Sequence, residues 1–118
     1  MQLRPEEAGA GVSAEEVEAV LERFVRRDDP FYTQTWNRLP ASQQKALLAL
    51  VEEGGDGLFA KAVLRRYGLA LSTMRTALVG LVRIGVTREE EAQAQGSVRH
   101  VLKDPFFAAW LRLFAVGP

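Results

Sequence analysis

Cysteine is absent from the chain and histidine occurs once, at His100. Disulfide scaffolds and thiolate metal sites are therefore excluded, and no Cys/His/Asp/Glu cluster carries metal-ligand spacing. No apolar run approaches the roughly 20 residues that a bilayer-spanning helix needs. The opening residues "MQLRPEEAGAG" lack an apolar signal core, so a cytoplasmic location and no membrane partner are expected. There is no G-x-x-x-x-G-K-[ST] loop to cradle phosphates. Net charge is also lacking, since fifteen Lys and Arg balance fifteen Asp and Glu. Without a second histidine or a cysteine, His100 has no partners for nucleophilic catalysis, and its strand position predicts a surface histidine. Glu89, Glu90 and Glu91 are sequence neighbours and not a pair held across a cleft, so they do not suggest acid–base chemistry. The expectation is a non-enzymatic chain with no cofactor.

What is present is one domain's worth of residues, 118, with 47% hydrophobic and 25% charged content. The neutral total hides a division. Residues 1–58 hold six basic against eleven acidic side chains, and residues 59–103 hold eight against three. Such asymmetry suits an anionic partner for the basic part. Mutual attraction of the two halves accounts for it equally well.

The pattern along the chain predicts mainly helix. Residues 1–12 read as a flexible arm. "SAEE" at Ser13–Glu16 is a capping box. Val17, Val20, Leu21, Phe24 and Val25 follow as one apolar stripe. Asp29-Pro30 starts a short helix through Trp36, which makes residues 13–37 an N-terminal helical extension. Residues 38–118 form the remaining domain. In it Pro40 opens a helix to about Glu53, stopped by "GGDG" at Gly54–Gly57. "LFA" at Leu58–Ala60 suits a single strand bridge. A short helix, Lys61–Tyr67, ends at Gly68. Ser72 is the expected cap of the next helix, to about Ile84. Val86–Arg88 and Val98–Leu102 then make a β-hairpin with Glu89–Glu91 at its tip. Asp104-Pro105 starts a last helix that is apolar around most of its circumference.

Two helices joined at Gly68 by about four residues, followed by a hairpin, make a winged helix-turn-helix with an N-terminal helical extension. In that geometry the second helix reads duplex DNA. Thr73, Arg75, Thr76 and Arg83 are the expected contacts, with support from Lys61, Arg65 and Arg66 on the helix before it. Arg88 and Arg99 add to these from the hairpin base. Glu89–Glu91 oppose phosphate contact by the tip. Gly80, inside the second helix, suits close approach by a DNA strand or a protein surface. Helix-turn-helix folds also serve as protein adaptors. In that case Val79, Gly80, Trp110 and Phe114 are the expected interaction residues, with a partner domain or a second copy as the occupant.

Several residues also resemble the winged-helix domain that follows the nucleotide-binding domain in archaeal-type AAA+ ATPases. These are Trp36, Leu39, Gln44 and Gly54, then Tyr67-Gly68-Leu69, Ser72-Thr73-Met74 and Asp104-Pro105-Phe106-Phe107 with Trp110. The resemblance implies a DNA-binding, regulatory module of an ATPase system. Because the phosphate loop is missing, it does not extend ATP hydrolysis to this chain.

Overall fold

A computed structural model describes residues 13–27, 29–91 and 98–115. The expected arm at 1–12 lies outside them. Six helices and one hairpin follow in order among the described residues: α1 (Ala14–Arg27), α2 (Asp29–Arg38), α3 (Ala41–Glu53), α4 (Lys61–Tyr67), α5 (Leu71–Arg83), β1 (Thr87–Glu91), β2 (Val98–Leu102) and α6 (Pro105–Trp110). After Trp110 the last helix widens into a π-type turn over Leu111–Ala115. The fold is mainly helical with one antiparallel hairpin, as the pattern predicts.

The core is the set of apolar faces that the spacing marks. Leu47 and Leu50 of α3 meet Met74, Ala77, Leu78 and Leu81 of α5, all buried. Phe107, Trp110 and Leu111 of α6 close the cluster. An aromatic seam ties α2 to α6. Tyr32 stacks on Phe107 with ring centroids 5.5 Å apart, and Trp36 tilts against Trp110 at 6.3 Å. Polar bonds satisfy its buried ends. The Trp110 indole N–H donates to Asp29, and the Tyr32 hydroxyl donates to Asp104 Oδ2 over 3.0 Å. Trp110, expected among the interaction residues, is only 4% exposed and belongs to this seam.

Local signals set most helix ends. The amide of Glu16 donates to Ser13 Oγ at 3.0 Å, and the amide of Phe106 to Asp104 Oδ1 at 2.9 Å. Gly68 takes the left-handed conformation, φ 68°, that turns the chain from α4 into α5. Two expectations are corrected. Helix α5 starts at Leu71, two residues earlier than a cap at Ser72 would place it. Its N-cap is Ala70, whose carbonyl accepts from the Met74 amide, so Ser72 lies in the first turn and caps nothing. Leu58–Ala60 form a turn and no strand. The loop meets the hairpin at Gly55 instead, whose carbonyl accepts from the His100 amide over 3.0 Å.

Candidate nucleic-acid interface

Helix α5 is held by its apolar face, and this orients its polar face outward. Ser72, Thr73, Arg75, Thr76 and Arg83 are all exposed. At 100° per residue, Ser72, Arg83, Thr76 and Val79 point away from the buried Met74–Ala77–Leu78–Leu81 side. No ion pair engages Arg83 among the described residues, nor Lys61 and Arg65 on α4. Among the described residues Arg75 lies against the ring of Phe59, with its guanidinium 5.4 Å from the ring centroid. The ring holds the cation in place without neutralising it. Sequence reasoning missed Phe59, because its position beside α5 depends on how the turn before α4 folds back.

Gly80 has a different role from the one expected. A Cβ built there would lie 2.5 Å from Nε2 of Gln43 on α3. The missing side chain admits Gln43 and so serves α3–α5 packing, not approach by a partner. Lys45, also on α3, brings its ammonium to 3.9 Å from where a Cβ on Gly68 would sit. It adds a cation beside the turn that the reading by segments did not anticipate.

The hairpin differs most from expectation. Strand β1 runs through Glu91, so the three glutamates lie in the strand, and the connection at 92–97 lies outside the described residues. The register pairs Arg88 with Val101, Glu89 with His100, Glu90 with Arg99 and Glu91 with Val98. Side chains alternate between faces, so Arg88, Glu90 and Arg99 share the face opposite buried Thr87 and His100. Arg88 donates to Glu90 over 2.8 Å, and Arg99 stands directly across from the same carboxylate. Arg66 is likewise engaged, by Glu53. Of the nine residues expected to meet DNA, Thr73, Arg75, Thr76, Arg83, Lys61 and Arg65 are exposed with no carboxylate partner among the described residues. Arg66 and Arg88 have one, and Arg99 faces one.

His100 is buried, at 6% exposure, and is not the surface histidine its strand position suggests. Burial pushes its pKa below the ordinary 6.5, against the opposing pull of Glu89. The same loop-and-strand packing explains Gly55. A Cβ there would fall 2.3 Å from the His100 carbonyl oxygen. Below α3, the Tyr67 hydroxyl donates to Glu52 over 2.9 Å. Burial first, then that bond, pushes its pKa up to about 12. Among the described residues no group of three or more His, Cys, Asp or Glu is placed to hold a metal ion. No described helix is long and apolar enough to cross a membrane.

Helix, tight glycine turn, outward-facing second helix and docked hairpin together define a winged helix-turn-helix. The family described as a probable winged helix domain matches residues 30–113, and the chain belongs to it. No curated protein and no solved structure matches the chain.

Proposed function

We propose that the chain is a DNA-binding module that lays α5 against duplex DNA. One observation carries this reading. The exposed side of α5 presents Thr76 and Arg83 outward with Thr73 and Arg75 on its two flanks, none of them engaged by a carboxylate of the described residues, beside Lys61 and Arg65 of α4. Threonine hydroxyls and guanidinium groups are suited to base edges and phosphates, and α4 lies where backbone contacts arise in this fold. Arg66 and Arg88 play a smaller part, because a phosphate must first displace a carboxylate, and so does Arg99, which stands across from Glu90. Exposed ion pairs of this kind hold by only about 0–1 kcal/mol, so displacement is cheap but not free. The resemblance to the winged-helix domain of archaeal-type ATPases supports a regulatory role beside such an ATPase, in the cytoplasm.

An anisotropy titration with a random-sequence duplex at two salt concentrations tests the proposal. Four unneutralised cations, if all reach phosphates, give a log–log salt slope of about −3.6. Absence of binding at low salt rejects it. A second reading rests on a separate observation. Leu71 on a flank of α5 and Val79 on its outward side, with Phe59 beside Arg75, are exposed apolar side chains. They suit a protein surface, such as a partner ATPase domain, with Phe114 exposed on the last turn as a further contact. Under that reading Val79→Glu abolishes partner binding, whereas DNA affinity is absent from the start.

A further inference from the structure

We infer that α1 is a self-association element that pairs antiparallel with α1 of a second copy of this chain. Helix α1 packs one side on α6, yet apart from the half-buried Glu22 each of its residues whose burial is described is exposed. Val17, Val20 and Phe24 are 46%, 42% and 46% exposed, and the Phe24 ring tilts against Phe106 with centroids 5.6 Å apart. The spacing of Val17, Val20 and Phe24 is that of one helical face. The side chains of Leu21 and Val25 lie outside the described residues. An open groove of about 360 Å³, lined by Val20, Arg23, Phe24 and Arg27, runs beside the stripe. A helix of 14 residues is marginal in water unless its apolar face is covered.

The charges on α1 select the cover. Glu15, Glu16, Glu18 and Glu22 precede Arg23, Arg26 and Arg27. The helix dipole favours that order, but dipole energetics do not call for an exposed valine stripe between the two blocks. Together they make a self-complementary surface. Two antiparallel copies set valines and phenylalanine against each other and bring each acidic first turn along the other's basic last turn. This is the isologous contact of a two-fold dimer. At 100° per residue, Glu16 and Arg27 border the stripe on the side of the open groove. Glu18 and Glu22 border the opposite side, next to Ala109, Arg112 and Leu113 of the same chain. Glu16 and Arg27 are therefore the pair that reaches across, once at each end.

Sedimentation equilibrium of the full chain over a concentration series tests the inference, independently of any DNA binding. The expected mass is that of two chains. Val17→Glu with Val20→Glu should give the mass of one chain, with helical circular dichroism and melting of the domain retained. Glu16→Arg and Arg27→Glu each place like charges at both ends of the dimer. Each variant alone should self-associate about tenfold more weakly. An equimolar mixture of the two should recover the original affinity, since both ends are then complementary. A mass of one chain at every concentration overturns the inference. So does a dimer indifferent to the valine substitutions, or one that mixing fails to restore. Cover by a different protein, with the chain itself monomeric, overturns it as well.

Discussion

Helix α5 and the hairpin after it contribute two arginines each, and the outcomes differ. Arg75 and Arg83 leave α5 as cations with no carboxylate of the described residues paired to them, one of them lying over the Phe59 ring. Arg88 and Arg99 share a strand face with Glu90, which pairs with the first and opposes the second. Helical spacing spreads side chains around a cylinder, whereas a two-residue strand period gathers alternate residues on one side. A carboxylate two places along therefore neutralises a strand arginine that the same composition on a helix would leave free. The basic excess of residues 59–103 consequently concentrates on α4 and α5.

The two regions are also anchored differently, and the largest predicted effect separates them. Helix α5 rests on buried apolar side chains. The hairpin leans on α5 and is bonded to the 54–57 loop through the amide of His100 and the carbonyl of Gly55. Gly55 has φ +93°, and its missing Cβ would strike backbone, which cannot swing aside as a side chain does. Gly55→Ala should cost about 3 kcal/mol and lower the melting temperature by roughly 10 °C. Gly80→Ala meets only the end of Gln43 and should cost far less. Urea titration of both variants checks the ranking, and equal losses would mean the hairpin is not held by this loop.

Next in size is the loss of the α5 cations. Arg75→Ala with Arg83→Ala should weaken duplex binding at least about tenfold at low salt and reduce the salt slope by about 2. Arg88→Ala with Arg99→Ala should change both quantities much less. Comparable losses from the two double variants would erase the distinction between helix and hairpin. Conversely, Glu90→Gln releases the Arg88 guanidinium and removes the carboxylate across from Arg99 without altering strand pairing. It should tighten duplex binding about fivefold and steepen the salt slope. Unchanged affinity would show that the hairpin face points away from DNA, whatever its charge.

Sequence and structure agree where one residue type answers a local need. Ser13, Asp104 and Pro105 mark helix starts because unsatisfied amides need an acceptor or an imino residue. Gly68 marks the turn because a left-handed φ is needed there. Apolar periodicity located the faces of α3 and α5. What could not be read in advance depends on contacts between distant segments. Gly80 faces Gln43, and Gly55 faces His100, each because two elements cross at that point. The glutamates join β1 and not the turn because pairing with β2 offers ladder hydrogen bonds that composition does not reveal. Ser72 loses its capping role because the connection after Gly68 is two residues shorter than expected, with the cap at Ala70.

The smallest predicted effect concerns the inner face of the hairpin, where His100 titrates. Thr87 and His100 are the buried residues of that face, and neither Thr87 Oγ1 nor His100 Nδ1 finds a partner among the described residues. Burial depresses the imidazole pKa, so the unfolded chain binds more protons than the folded one just below pH 6.5, the ordinary value. Stability associated with the neutral ring is complete above that pH. It declines as pH falls and stops declining once the folded imidazole itself takes a proton. Glu89, the residue paired with it across the strands, is the one nearby charge that moderates the effect. Replacing Glu89 with Gln should therefore steepen the decline between pH 7 and pH 5. His100→Gln should flatten it to the background set by the other titrating groups. Urea midpoints of the three proteins at the two pH values provide the measurement. A histidine variant that keeps the full slope would place the titration elsewhere and leave the inner face as inert packing, in contrast to the charged outer one.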